Sequence, residues 1–201
     1  MKISPDLPSI KGYGSGLSDA EAAVVLALAV DTAREAGALR YLEIGVLKGG
    51  TIKFVAEHVP NGRCIGIDLF EDFQPGPDNT HISATHSVAD VQKHVGPAVE
   101  LIKGESTVVL PRLARDGCTV NFALIDANHT YAAVRQDLDL VLSLLEPGGR
   151  VAFHNTSLHI FPDLKYALRD GGPWKLTQQL RRDPAWFLEA EVERVRVFSR
   201  V

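Results

Sequence analysis

The sequence predicts an α/β protein whose central sheet is doubly wound, mostly parallel and covered by helices on both faces. The strand-like runs are almost continuously apolar, helical patterns separate most of them, and the last two strand-like runs have no helix between them. Strands that are buried on both faces are typical of parallel sheets, in which helices connect one strand to the next. The five apolar runs are Tyr41 to Ile44, Cys64 to Ile67, Val99 to Ile102, Val120 to Ile125 and Arg150 to Phe153.

A long helix is predicted before the first strand. Ser18 and Glu21 form a capping-box pattern, and Gly37 stands where the helix is expected to end. Further helical patterns connect the strands, and Pro111 leaves the start of the third of them open. These patterns cover Thr51 to His58, about Ser87 to His94, about Thr107 to Arg115, and Tyr131 to Leu145.

The C-terminal tail has a different pattern. Trp174 to Arg181 and Val192 to Ser199 both look like strands, and no convincing helix separates them. We expect these two segments to form an antiparallel hairpin at one edge of the sheet.

Composition limits the classes of protein that the chain can represent. With 201 residues, 45% of them hydrophobic, we expect one domain over 1–201, with an arm and helix at 1–37 and a core at 38–201. The net charge of −4 and scattered Lys and Arg residues argue against nucleic acid as a partner. No apolar run approaches the roughly 20 residues that a membrane-spanning helix needs. Met1 to Gly16 lacks the apolar core of a signal peptide. Cys64 and Cys118 are predicted to be free thiols. Together these observations predict a cytoplasmic location.

The stretch RYLEIGVLKGGT, from Arg40 to Thr51, joins a strand to a helix through an acidic residue and a glycine turn. Ligands of open α/β sheets bind beyond the carboxyl ends of the strands, where glycines let the backbone approach closely. Asp68 follows the second strand, 23 residues after Gly45. A carboxylate at this point is suited to accept hydrogen bonds from both ribose hydroxyls of a nucleoside.

Two nucleoside cofactors compete for this arrangement. A dinucleotide fingerprint requires G-x-G-x-x-G, but Val46, Leu47 and Lys48 follow Gly45, so the glycine that makes room for a pyrophosphate is missing. S-adenosylmethionine (SAM) has no phosphate and carries a cationic sulfonium. An acidic residue beside a glycine turn suits that charge better.

The motifs LEIGVLKGGT, CIGIDLF, LIKGEST, LIDANHTY and LLEPGGRVAFHN follow one another in the chain. Over about Leu39 to Thr156 the sequence resembles the class I SAM-dependent methyltransferases, most of all methyltransferase family 24, the small O-methyltransferases of natural-product tailoring. The resemblance implies a Rossmann-like sheet of seven strands with a C-terminal antiparallel hairpin. The implied cofactor-binding residues are Glu43, Gly45, Gly49, Gly50, Thr51, Asp68, Gly104, Glu105, Ser106 and Asp126.

The acceptor side allows two mechanisms. In metal-dependent relatives the fourth and fifth strands end in metal-binding residues. Here Asp126, His154 and Asn155 stand at those positions. Asn155 places an amide where a carboxylate is expected. One fewer negative charge should weaken Mg²⁺ binding. Alternatively Asp126, His129 and His154 are catalytic without a metal, and one histidine removes the proton of the acceptor. The second mechanism is favoured because of Asn155.

The segments Phe70 to His86 and Ser157 to Tyr166 are expected to shape the substrate pocket.

The favoured function is methyl transfer from SAM to a hydroxyl of a small molecule, expected to be a secondary metabolite. N-methylation, a non-methylating reaction on the same fold and a catalytically inactive SAM-binding protein are the alternatives. The leading helix of such proteins covers the site or joins a homodimer, and both arrangements stay open at this point.

Overall fold

The computed structural model describes residues 9–59, 61–73, 86–157 and 171–201. The helices of this part of the chain are α1 (Asp19–Ala36), α2 (Gly50–His58), α3 (Val88–Val95), α4 (Ser106–Arg115), α5 (Tyr131–Val141) and α6 (Gly172–Leu180), and a 3₁₀ turn covers Phe70–Asp72. The strands are β1 (Leu39–Ile44), β2 (Gly62–Asp68), β3 (Val99–Lys103), β4 (Val120–Ile125), β5 (Leu145–Phe153), β6 (Trp186–Val192) and β7 (Val195–Arg200).

The seven strands form one sheet in the order β3-β2-β1-β4-β5-β7-β6. Strands β1 to β5 pair in parallel, whereas β7 is antiparallel to β5 and to β6. This confirms the predicted Rossmann-like, doubly wound sheet with a C-terminal antiparallel hairpin. The strand order reverses direction between β1 and β4, which is the point where open α/β sheets bind their ligands.

Helix α1 begins and ends as its sequence predicts. The Ser18 side chain accepts a hydrogen bond from the Glu21 backbone N–H, and the Glu21 carboxylate accepts one from the Ser18 N–H, completing the capping box. Gly37 ends the helix with φ of +78°, a left-handed conformation that glycine adopts without strain.

Two hydrophobic layers lie on opposite faces of the sheet. Helices α1, α2 and α3 pack on one face through residues that include Leu26, Phe54 and Val91. Helices α4, α5 and α6 pack on the other through residues that include Leu110 and Leu176. Coverage on both faces explains why the central strands are apolar along their whole length.

The structure corrects the prediction for Trp174 to Arg181, which is not a strand. Gly172–Leu180 is helix α6, with Pro173 at its start, and it buries Leu176, Thr177 and Leu180 along one side. The hairpin itself exists, but its first strand is Trp186–Val192. The alternation of Trp174 and Leu176 resembled a strand, whereas the buried positions follow a helical spacing.

Pro111 lies inside helix α4, where it removes one backbone donor. An interior proline costs about 3 kcal/mol or more. Burial of Val109, Leu110 and Leu113 against the sheet offsets this cost.

Among the described residues, no helix has the length and apolar character needed to cross a membrane.

Candidate functional site

The carboxyl ends of β1, β2, β4 and β5 meet in one region. Gly45 N–H donates to the Ile67 carbonyl at 2.9 Å, and Asp126 N–H donates to the Ile44 carbonyl at 2.9 Å. Ile125 pairs with Phe153, so Asp126 and His154 follow their strands side by side. The residues that the sequence selected are therefore gathered by the register of the sheet.

Each glycine of the turn after β1 makes room for another part of the protein. A Cβ on Gly45, at φ of +92°, would lie 2.2 Å from the Asp126 carbonyl oxygen. A Cβ on Gly49, at φ of +81°, would lie 2.4 Å from a Val95 methyl group. A Cβ on Gly50 would lie 2.3 Å from the Ser15 backbone nitrogen. The glycines bring the β4 loop, helix α3 and the N-terminal arm against this turn.

Two carboxyl groups stand beside the glycine turn. Glu43 is buried and accepts a hydrogen bond from the Tyr41 hydroxyl at 2.8 Å. Burial raises the pKa of Glu43 well above its ordinary value, and the charges of Asp126 and Asp68 add to the effect. Asp68 accepts hydrogen bonds from the Leu47 N–H at 2.8 Å and the Phe70 N–H at 3.0 Å. The carboxylate of Asp68 is thus held at the rim of the turn.

The segment after β3 lies next to Asp68. Gly104 N–H donates to the Asp68 carbonyl at 2.9 Å, and Glu105 precedes the first turn of α4. Ser106 donates its hydroxyl proton to Asp137 at 2.5 Å. Burial raises the pKa of Asp137, a residue that is only 4% exposed, and the hydrogen bond from Ser106 partly opposes this shift. Sequence reasoning missed Asp137, because its only signal was an acidic residue on an otherwise amphipathic helix.

Ser15 of the N-terminal arm is a second residue that sequence reasoning missed. Its hydroxyl lies 2.7 Å from the Thr51 hydroxyl at the start of α2. The arm is fixed by Tyr13, which donates to Glu57 at 2.7 Å and packs edge-on against Phe54. The sequence GYGSG of this arm contains no motif that predicts a contact with helix α2.

Asp126 is the centre of the polar cluster at the ends of β4 and β5. His154 Nδ1 lies 3.0 Å from Asp126 Oδ1, and His129 Nε2 lies 3.3 Å from the same oxygen. Asn155, at φ of +55°, brings its amide nitrogen 3.0 Å from His129 Nε2. The structure therefore brings all four predicted acceptor-side residues together. His129 is 29% exposed at its side chain and His154 only 5%, so the two histidines differ in access to a ligand.

Glu21 and Arg194 extend this cluster away from the turn. His154 Nε2 lies 3.6 Å from Glu21 Oε2, and Arg194 Nη2 donates to the same oxygen at 2.9 Å. Burial opposes ionisation of Glu21, but the facing imidazole of His154 and the hydrogen bonds from Arg194 outweigh burial and lower the pKa of Glu21 to about 2. Sequence reasoning recognised Glu21 only as a helix cap, because Arg194 lies 173 residues away along the chain.

His154 carries a positive charge at neutral pH. Burial would lower the pKa of His154, but the charge of Asp126, the hydrogen bond to Asp126 and the facing carboxylate of Glu21 raise it to about 9. Burial would raise the pKa of Asp126, but the charge of His154 and hydrogen bonds from both histidines lower it to about 2. A buried imidazolium thus stands between two carboxylates.

Asp126, His154 and Asn155 do not form a preassembled site for a divalent metal. His154 Nδ1 lies 3.0 Å from Asp126 Oδ1 and the side-chain amide of Asn155 lies 3.0 Å from His129 Nε2, so the groups that would bind a metal are in contact with other side chains. Within the described ranges, no group of three His, Cys, Asp or Glu side chains is arranged to hold a metal ion.

Several other expectations concern the surroundings of this cluster. Residues 74–85 and 158–170, which form most of the two predicted pocket segments, lie outside the described residues. Helix α6 approaches the cluster directly, because Gly172 N–H donates to the His129 carbonyl at 3.0 Å. Cys64 and Cys118 are free thiols, as predicted.

Comparison with solved structures finds the same fold in methyltransferases. TomG from Streptomyces achromogenes, an O-methyltransferase of tomaymycin synthesis in complex with SAM, is 22% identical with a TM-score of 0.61, covering 98% of this chain and 82% of TomG. An O-methyltransferase from Bacillus cereus in complex with SAH is 16% identical, with a TM-score of 0.60. The match covers 97% of this chain and 84% of the Bacillus cereus protein. MycE is a methyltransferase from the mycinamycin biosynthetic pathway, solved in complex with Mg, SAH and mycinamycin VI. It is 18% identical with a TM-score of 0.54, and the match covers 81% of this chain and 44% of MycE.

A search of curated proteins found none that matches the chain. The model of methyltransferase family 24, described as a methyltransferase domain, matches residues 42–156. The match spans the glycine turn, Asp68 and the Asp126 cluster, and it covers more than half of the 201 residues. The chain therefore belongs to this family of methyltransferases.

Proposed function

We propose that this protein, acting as one domain, transfers a methyl group from SAM to a hydroxyl of a small molecule, with a secondary metabolite as the favoured acceptor class. The observation that carries the proposal is the close approach of Asp126 to Gly45, since a Cβ there would lie 2.2 Å from the Asp126 carbonyl. The partly exposed Asp126–His129 pair thus adjoins the turn expected to hold the cofactor. TomG and MycE, both biosynthetic proteins of the same fold, support the acceptor class.

The cofactor would supply an electrophilic methyl group bonded to a sulfonium. Formation of the bond from this carbon to the acceptor oxygen would break its bond to sulfur and release the neutral demethylated cofactor. Asp68 would accept hydrogen bonds from the ribose, and Gly104, Glu105 and Ser106 would lie by the adenine. Glu43 fits a cationic ligand, because a positive charge nearby would relieve the cost of ionising this buried carboxyl. Gly45 and the segment from Gly49 to Thr51 would border the methionine part.

His129 is the proposed general base, and His154 is not. A base needs a free lone pair and access to the acceptor, whereas His154 is protonated and only 5% exposed at its side chain. Asp126 would accept the proton of His129 Nε2 across the observed 3.3 Å, which leaves the lone pair on Nδ1. The side-chain amide of Asn155, 3.0 Å from Nε2, would then present its oxygen rather than its nitrogen to this N–H. A carboxylate that fixes the tautomer of a catalytic histidine in this way also stabilises the imidazolium that forms.

The proposal is tested first by isothermal titration of the protein with SAM and with its demethylated product. Transfer of a labelled methyl group from SAM is then measured against a panel of phenols, catechols and sugars. No binding of either nucleoside at millimolar concentration would contradict the cofactor assignment. Binding without transfer to any hydroxyl would contradict the O-methyl assignment, and labelling of amine acceptors alone would replace it with N-methylation.

The role of His129 has its own test in the variant His129→Gln. Loss of a general base typically lowers kcat by about 10²–10⁴-fold, and SAM affinity should stay unchanged because His129 is assigned to the acceptor side. His58→Gln is the matched control, since His58 bonds the Phe54 carbonyl within helix α2, away from the cluster. Equal activity of His129→Gln and wild type would remove His129 from the mechanism.

A further inference from the structure

Glu21 is a fully buried carboxylate whose contacts exceed what a helix cap requires. Its exposure is 0%, and only the bond from the Ser18 N–H at 2.8 Å belongs to the capping box. Arg194 donates to it from its backbone N–H at 2.9 Å, from Nε at 3.0 Å and from Nη2 at 2.9 Å. Burying a charge is costly unless it is paired and hydrogen-bonded, and a cap could function at the protein surface.

The remaining contact of Glu21 points toward the acceptor side. Glu21 Oε2 lies 3.6 Å from His154 Nε2, a buried atom that has no hydrogen-bond partner among the described residues. On the opposite side of the same ring, Nδ1 lies 3.0 Å from Asp126 Oδ1. One imidazole therefore spans the space between the start of helix α1 and the end of strand β4.

We propose that Glu21 is a positioning residue for methyl transfer, which acts through His154 to hold the Asp126 carboxylate where it meets His129. The inference rests on the proposed function, because it assigns Glu21 to the Asp126–His129 pair. Arg194, at the turn between β6 and β7, fixes the far side of Glu21. The start of α1 and the C-terminal hairpin thus support a pair of residues that belong to the loop after β4.

A purely structural role predicts a different result. If Glu21 only joined helix α1 to the hairpin through Arg194, its loss would lower stability and would leave the turnover of folded protein unchanged. If it positions Asp126 through His154, its loss and the loss of His154 should affect the same step. Effects of residues that act as one unit do not multiply.

The experiment compares Glu21→Gln, His154→Gln and the double variant. Glutamine keeps the length of the side chain and an oxygen for Arg194, but it removes the charge that faces His154. Misplacement of a catalytic group by a fraction of an ångström to 1 Å can cost up to about 10²-fold, so we expect kcat in Glu21→Gln to fall by about 10-fold to 100-fold. The dissociation constant of SAM should change by less than about twofold, and the double variant should turn over no more slowly than His154→Gln.

Ser18→Ala is the matched control on the same helix. It removes the side-chain acceptor of the capping box and leaves the Glu21, His154 and Asp126 side chains in place. We expect a lower melting temperature and an unchanged kcat. A Glu21→Gln variant that keeps wild-type kcat, or a double variant whose losses multiply, would overturn the inference.

A second measurement does not depend on the acceptor or on turnover. The imidazole ¹⁵N resonances of His129 and His154 are recorded in wild type, Glu21→Gln and Ser18→Ala. Displacement of Asp126 should shift the His129 signals in Glu21→Gln only, and unchanged His129 signals would overturn the inference. If Glu21→Gln does not fold, Glu21→Asp, which keeps the charge on a shorter chain, replaces it with the same expected changes. Absence of methyl transfer by the wild type would instead count against the proposed function, while the resonance comparison still decides the role of Glu21.

Discussion

Gly45 and Gly12 adopt nearly the same backbone conformation, with φ of +92° and +93°, but they differ in their surroundings. A Cβ on Gly12 meets nothing within 4 Å, whereas one on Gly45 would lie 2.2 Å from the Asp126 carbonyl oxygen. The two positions therefore separate the cost of a left-handed conformation from the cost of steric overlap.

We predict that Gly12→Ala lowers the free energy of unfolding by about 1–2 kcal/mol, which is the cost of a left-handed conformation for a residue with a Cβ. Gly45→Ala should cost about 1–3 kcal/mol more, because the β1 and β4 loops must move apart. Urea unfolding of both variants and the wild type gives the comparison. Equal losses in the two variants would mean that the approach of Asp126 is not tightly packed.

Asp68 allows a prediction about the cofactor. Asp68→Ala should weaken SAM binding by about 1.5–3 kcal/mol, as expected when hydrogen bonds to a charged group are lost. Titration calorimetry measures the change. Asp139→Asn, which breaks a surface pair with Arg135 at 3.0 Å, should bind as the wild type does. Unchanged affinity of Asp68→Ala would place this residue outside the cofactor site.

Single residues show where sequence reasoning works and where it stops. Glu43, Gly45, Asp68 and Asp126 could be selected because each follows or ends an apolar strand, and the carboxyl ends of parallel strands meet at one edge of a sheet. Asp137 and the second role of Glu21 could not be selected. Their partners are distant in sequence, and no local pattern records such a contact.

The helices and strands also divide into those that the sequence predicts and those that only tertiary packing determines. The parallel strands and the helices between them were predictable because their apolar patterns match the sheet and helix periods. Helix α6 was not, since its short amphipathic pattern also fits a strand and the choice is made by packing of Leu176 and Leu180 against the sheet. Helix α4 shows the same dependence, because tertiary burial outweighs Pro111.

The N-terminal arm gives a prediction at the scale of an element. A Cβ on Gly50 would lie 2.3 Å from the Ser15 nitrogen and 2.6 Å from the Gly14 carbonyl carbon, so Gly50→Ala should displace the arm from the start of α2. Trypsin should then cleave after the exposed Lys11 faster than in the wild type. Gly16→Ala is the control, since a Cβ there meets nothing within 4 Å. An unchanged cleavage rate in Gly50→Ala would show that the arm does not depend on this contact.

At the scale of the whole molecule, the acceptor-side cluster connects parts of the chain that lie far apart in sequence. Glu21 stands at the start of α1, Asp126 and His154 follow two central strands, and Arg194 joins β6 to β7. The sheet order brings these parts together, so the cluster depends on the complete fold. Its charges should therefore couple the stability of the molecule to pH.

The direction of that coupling follows from the shifted pKa values. The pKa values of Glu21 and Asp126 are lowered to about 2, so their stabilisation is present above their unfolded values of about 4 and is lost as pH falls toward 2. The pKa of His154 is raised to about 9, so its stabilisation is complete below its unfolded value of about 6.5 and is lost as pH rises through 9. All three groups contribute together between about pH 4.5 and pH 6.5.

We predict that the melting temperature of the wild type falls between pH 6.5 and pH 9, and that this fall is smaller in His154→Gln, which has no imidazole to deprotonate. The difference between the two curves isolates His154 from other groups that titrate in the same range. Burial raises the pKa of the Cys64 thiol to about 12, so this group stays neutral throughout the interval. Parallel curves for wild type and His154→Gln would mean that His154 is already neutral in the folded protein. His154 could then accept a proton, and the choice of His129 as the base would have to be revised.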